Sequence, residues 1–317
     1  PLAIFSLHWD VPPLIYPSRL HRPNSTCFLH FTHQTIMLKA LLISSLFFSV
    51  TLAETSNPFI WPAPSSFSSG TETLVVDASC ALFETKSSPV PNTLLAAFKR
   101  YCDITFPHVA GGATANIKKL VMSWEDGDES HPQLETDESY TLAVPTGTAE
   151  AKLSAKTIYG IMRGLETFSQ LVVFDFGTKS YRIHGGPWEI TDSPRFPHRG
   201  LMIDSARHFE TLASIRHVID ALPYAKLNVL HWHMVDTQSF PFESKKFPKL
   251  WDGAYSEFEK FTQEDIAVIV EYARMRGVRV IVEFDVPGHA ASWCKGYPEI
   301  CPSKTCLQPL NVANNFT

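Results

Sequence analysis

HRGLMIDSARHF (198–209), LNVLHWHMVDTQSFP (227–241) and VIVEFDVPGHAASW (280–293) share one design: an apolar run that ends in a polar cluster. The runs predict strands at Gly200–Asp204, Leu227–His231 and Val278–Phe284, each rich in β-branched or bulky apolar residues. A helix is expected between the first two, from Thr211 to about Leu222, with Leu212, Ile215, Val218, Ile219 and Leu222 on one stripe. Thr262 and Asp265 form a capping-box signature for a second helix, with Ile266, Ile269, Val270 and Ala273 inward. Arg274 and Arg276 suit its last turn, and Gly277 suits the left-handed position that closes it. Strands alternating with helices imply parallel pairing through right-handed crossovers. The expected fold class is α/β: an N-terminal α+β domain followed by the first three βα units of an incomplete (β/α)8 barrel, the barrel region being 194–317. Such barrels carry their chemistry at the C-terminal ends of the strands.

Upstream, residues 54–185 read as a small α+β domain. A Pro/Ser-rich entry (Trp61–Gly70) precedes a short strand, Thr73–Val76, and Pro91 opens a helix with Leu94, Phe98 and Tyr101 on one face. Strands follow at Leu120–Trp124, Ser139–Val144 and Ala149–Ser154, then a helix at Thr157–Leu171 with Ile158, Met162, Leu165 and Phe168 inward. Cys80 and Cys102 flank the strand-to-helix connection and are read either as a bridge or as two buried thiols.

The composition narrows the class. The chain has 317 residues, a net charge of -5, and is 44% hydrophobic and 19% charged, which argues against a disordered acidic tail and against a basic nucleic-acid binder. Six cysteines are too few for a disulfide scaffold and too scattered for a zinc-finger framework. Residues 1–36 are Pro/His/Phe-rich without a sustained period and are expected to be an unstructured extension. From Met37 the pattern is that of a secretory signal peptide over 37–53: Lys39, then the uncharged run Ala40–Ala53, too short for a stable membrane span. The expected location is the secretory pathway, extracellular or vacuolar/lysosomal, where cysteines pair. Cys80, Cys102, Cys294, Cys301 and Cys306 then leave one thiol over, and Asn315-Phe316-Thr317 is a glycosylation sequon.

At the strand ends the candidate chemistry is Asp204–Phe209, preceded by Arg199; then His231–Pro241; then Glu283–His289. His231 and His233 are two apart, so on a strand they share a face. That spacing suits a metal-dependent barrel hydrolase; the favoured reading is a packed strand end with a histidine satisfied by a nearby carboxylate.

In this order and spacing the three segments resemble the signature blocks of glycoside hydrolase family 20, the β-N-acetylhexosaminidases. DESYTL (137–142) and TIYGIMRGLETFSQL (157–171) resemble that family's N-terminal domain, so the likeness spans about Trp61 to Asn315. The resemblance implies removal of terminal β-linked N-acetylglucosamine or N-acetylgalactosamine from glycans with retention, without cofactor or metal. The substrate's own acetamido oxygen attacks the anomeric carbon, an Asp orients it, and a neighbouring Glu protonates the leaving oxygen. Carried over, Arg199 binds sugar hydroxyls, Asp236 and His289 form a supporting pair beside the acid, and Asp285 lies in the ionic network around Arg199.

One departure stands out. The family's Asp-Glu pair lies in a His-x-Gly-Gly-Asp-Glu motif after strand four, and the chain stops at Thr317, before it. Asp128-Glu129 and Asp137-Glu138 do not follow Gly-Gly and are read as solvated surface. The chain alone is therefore expected to lack the general acid, to be unstable with an open sheet edge, and to be inactive. Cys301 or Cys306 would pair beyond the end. A non-catalytic amino-sugar-binding protein is the further alternative, and a homodimer is left open. The partner is a glycan with a terminal N-acetylhexosamine.

Overall fold

The computed structural model describes residues 60–313 and 315, which belong to one compact unit. The extension expected over 1–36 and the signal peptide expected over 37–53 lie outside the described residues. Two sheets organise the unit. The first has the strand order β1-β7-β4-β5-β3-β2: β1 (Ser66–Val76), β2 (Phe83–Thr85), β3 (Lys119–Asp126), β4 (Tyr140–Val144), β5 (Glu150–Thr157) and β7 (Ser180–Asp192), with β6 (Val172–Asp175) paired to β7. It is mixed: β2, β3 and β5 run parallel, while β1, β4 and β6 are antiparallel to β7.

Helices α1 (Asn92–Thr105) and α2 (Ile158–Leu171) cover this sheet. The predicted inward residues of α2, Ile158, Met162, Leu165 and Phe168, are all buried with Leu142, Leu153 and Ile183. Gly160 lets α2 sit against the backbone, since a Cβ there would lie 2.4 Å from the Ser139 carbonyl oxygen. Cys80 and Cys102 form a disulfide that ties α1 to the segment ahead of β2. The strand β7 runs past residue 185 to Asp192, and β1 begins at Ser66, inside the segment read as an entry loop. Gly185-Gly186-Pro187 punctuates β7 like a turn, yet the strand survives because β1 crosses it closely: a Cβ on Gly70 would lie 2.3 Å from the Gly186 oxygen.

The second sheet is parallel, in the order β8 (Gly200–Asp204), β9 (Val229–Val235) and β10 (Arg279–Phe284), so β8 and β10 are its edges among the described residues. α3 (Leu212–Ala221) joins β8 to β9, and α4 (Gln263–Arg274) precedes β10. Thr211 and Thr262 cap the two helices through their hydroxyls, and Thr262 with Asp265 forms the predicted capping box. After α4, Gly277 takes a φ of 67°, donates to the Arg274 carbonyl, and the Val278 amide donates to Ala273, closing the helix as a Schellman motif. Ile215, Ile219, Ile269 and Ala273 pack on Leu230, Trp232 and Val278. The register sets Asp204, His233 and Glu283 side by side across the sheet, and Met202, His231 and Ile281 in the row before them. The alternate row of Ile203, Trp232 and Val282 meets the helices.

Candidate active site at three strand ends

Each strand of the parallel sheet delivers acidic or basic groups at its C-terminal end. Beyond β8, Asp204 accepts the Ala206 and Arg207 amides through Oδ1, both at 3.0 Å, a local turn that swings Arg207 back over the sheet. The Arg207 guanidinium then reaches Asp204 Oδ2 at 2.6 Å and Asp236 Oδ2 at 2.9 Å. Tyr255 holds the same residue from the far side, its hydroxyl donating to the Arg207 carbonyl at 2.9 Å. The hydrogen bond and the charges of Asp204, Asp236 and Asp285 push the guanidinium's proton affinity up.

Asp236 is the hub. Its side chain is 2% exposed, and Oδ2 gathers Arg207, His233 Nε2 at 2.8 Å and His289 Nδ1 at 3.6 Å. Oδ1 accepts the Thr237 amide, and the Asp236 carbonyl accepts the Ser292 hydroxyl at 2.6 Å. His289 has a left-handed backbone, φ 53°, which turns its ring toward Asp285 at 2.7 Å. On β10, Glu283 Oε2 takes His231 Nε2 at 2.6 Å and His233 Nδ1 at 2.9 Å. Burial alone would raise the Glu283 pKa, but the two histidines outweigh it and hold the carboxyl below its usual range. Asp204 is likewise held low: burial is overcome by the hydrogen bonds it accepts from Arg207. The loop that follows is fastened by the Cys294–Cys301 disulfide and by Thr237 bonding Gln308.

Of the residues singled out from the sequence, Asp236, His289 and Asp285 come together. Arg199 does not. It stands one residue ahead of β8, at the opposite end of the strand, roughly 16 Å of extended chain from Asp204 at ~3.3 Å per residue. There its guanidinium bonds Glu138 and the Lys226 and Phe196 carbonyls. Asp285 accordingly pairs with His289 and not with Arg199. The basic residue of the site is Arg207, inside the quoted DSARHF segment. An Asp three residues ahead of an Arg just past a strand end was the signal for it.

Glu138, read as solvated surface, is 5% exposed. It receives two bonds from Arg163, at 2.8 and 2.6 Å, as well as Arg199 and the Asn228 amide. Arg163 also donates to the Gly277 carbonyl, so this ion cluster fastens α2 to the segments that lead into β8, β9 and β10. A cavity of about 370 Å³ adjoins it, lined by Tyr140, Asp192, Phe196 and Lys226 among others. Lys226 and Asp192 satisfy each other there at 3.0 Å. The cavity is therefore a seam between the sheets, and the convergent chemistry lies at the other end of β8.

The histidine pair has the carboxylate partner that the favoured reading gave it: both rings face Glu283. His233, Asp236 and Asp285 do bring donor atoms within 4.8 Å of one another. The oxygens concerned already meet Arg207, His233 and His289, so N–H groups occupy the positions an ion would take. Of the two cysteines, either of which was expected to pair beyond the end, Cys301 bonds Cys294, and Cys306 is the free, exposed thiol among the described residues.

Acidic, imidazole and guanidinium groups thus converge at successive parallel strand ends, the place where α/β barrel folds carry their chemistry. The pattern of the glycosyl hydrolase family 20 catalytic domain matches residues 196–315, and that of the beta-acetyl hexosaminidase-like domain matches 60–171. The chain belongs to glycosyl hydrolase family 20. It is 46% identical to Beta-hexosaminidase 1 of Arabidopsis thaliana over 278 residues, 83% of this chain and 51% of that protein. It is 40% identical to Beta-hexosaminidase subunit beta of Mus musculus over 276 residues, 82% of this chain and 50% of that one. Among solved structures, the chitobiase of Flavobacterium johnsoniae superposes with a TM-score of 0.65 at 31% identity, covering 76% of this chain and 37% of that one. The chain spans about half the length of the curated relatives it matches.

Proposed function

We propose that the protein to which this chain contributes is a β-N-acetylhexosaminidase that releases terminal β-linked N-acetylhexosamine from glycans by substrate-assisted, retaining catalysis. The observation that carries the reading is Asp236, buried and ringed by Arg207, His233 and His289 at adjacent strand ends. In this reading Arg207, not Arg199, offers its guanidinium fork to the hydroxyls of the terminal sugar. Asp236 and His289 orient the proton donor, and Asp285 fixes the His289 ring. The three parallel strands are the opening arc of a (β/α)8 barrel. In this reading a Gly-Gly-Asp-Glu segment, which does not occur in the 317 residues, supplies the orienting Asp and the acid Glu, and turnover depends on it.

The test is release of nitrophenol from a nitrophenyl β-N-acetylglucosaminide. The complete enzyme, with the barrel closed and the Gly-Gly-Asp-Glu segment present, is expected to be active, and Arg207→Ala in it to lose at least about a hundredfold in kcat/KM, near 3 kcal/mol for a charged hydrogen-bonding group. Robust release by the 317-residue chain, or full activity of that variant, overturns the reading. Two disulfides among the described residues favour an oxidising, secretory destination. No helix of the described residues is long and apolar enough to cross a membrane.

A further inference from the structure

We propose that His233 is a positioning residue that works as an imidazolium, bridging Glu283 and Asp236 so that the Asp236 carboxylate stays aimed at Arg207 and His289. The geometry leaves little choice of protonation. Nδ1 lies 2.9 Å from Glu283 Oε2 and Nε2 lies 2.8 Å from Asp236 Oδ2, while the side chain is only 5% exposed. An ionised carboxylate only accepts. A neutral ring would turn one bare nitrogen lone pair onto a carboxylate oxygen, an unsatisfied contact at a buried side chain. With a proton on each nitrogen, both contacts become charge-assisted hydrogen bonds.

The surroundings agree from every side. Glu283 and His231 face the ring from the neighbouring strand and its own strand, and Asp204 stands in register on β8. Across Asp236 stand Arg207, His289 and, behind it, Asp285. Burial by itself would drive the proton off; the bonds to Glu283 and Asp236 outweigh it and the ring's pKa rises. Protonating Glu283 in place of the ring is disfavoured, because that carboxyl is held below its ordinary range. Asp236 Oδ2 therefore has one of its contacts fixed by a rigid ring anchored in the sheet. Arg207 and His289 reach it from loops.

The inference rests on the hexosaminidase reading for its catalytic meaning, and its test needs no substrate. In the 317-residue chain labelled with 15N-histidine and held at a concentration where light scattering shows it dispersed, long-range proton–nitrogen correlation reads each ring, with His233 identified by its loss in His233→Gln. Both His233 nitrogens are expected to be protonated at pH 7, with a midpoint above the ordinary ~6.5. Glu283→Gln and Asp236→Asn should each lower that midpoint by about one unit or more. A His233 with one bare nitrogen at pH 7, or a midpoint that neither substitution moves, overturns the proposal. A charged His233 in an inactive full-length protein would sink the functional reading alone; a neutral one in an active protein would sink this one alone.

Discussion

Two arginines eight positions apart illustrate how strand direction decides role. Arg199 and Arg207 flank the same five-residue strand, β8, and only the one past its C-terminal end meets Asp236. Arg199→Ala should cost about 3 kcal/mol of stability in urea unfolding, because it strips a guanidinium from the buried Glu138. Arg207→Ala should cost under about 1 kcal/mol in the same assay, since its side chain is 40% exposed. Protonation adds a pH signature. His233 carries a pKa raised by its carboxylate neighbours, so its contribution is complete below about pH 6.5 and fades as pH rises through the folded value. Asp204 and Glu283, both lowered, contribute above the ordinary carboxylate range and fade as pH falls. Unfolding midpoints from pH 5 to 9 should therefore decline on the alkaline side, and His233→Gln should lack that part of the decline. Asp236 and His289 were legible as strand-end residues that the resemblance paired, whereas Asp285, expected beside Arg199, lies beside His289. Glu138 was not legible, because an acidic pair in isolation has the look of surface; its partners lie 25 and 61 residues away.

At the level of elements, the helices were readable and the longest strand was not. Stripes of apolar residues at helical spacing announced α2, α3 and α4, and the Thr262–Asp265 box fixed where α4 starts. Thr262→Ala should remove about 1 kcal/mol, seen as a lower urea midpoint. The strand β7 hid behind Gly185-Gly186-Pro187, residues that ordinarily end a strand, and its integrity depends on pairing with β1 far upstream in sequence. Helix α2 is a tight fit on the sheet: a Cβ on Gly164 would lie 2.2 Å from Leu153 Cδ1, a flexible group. The corresponding clash at Gly160 is with backbone. Gly160→Ala should accordingly destabilise by about 2 kcal/mol in urea unfolding, and more than Gly164→Ala.

Across the molecule, the cluster around Glu138 makes the two sheets depend on each other. Arg163 belongs to α2 and Arg199 introduces β8, yet both charges end on one carboxylate. Calorimetry on the chain should show one cooperative transition, and Glu138→Gln should lower its midpoint without splitting it in two. The outer rims of β8 and β10 carry a different implication. Each offers a row of backbone donors and acceptors with Leu201, Met202 and Phe284 half in solvent beside it. Such rims are adhesive toward any other extended polypeptide, so light scattering should find the purified chain clumping as its concentration rises, and a charged side chain placed on either rim should keep it dispersed.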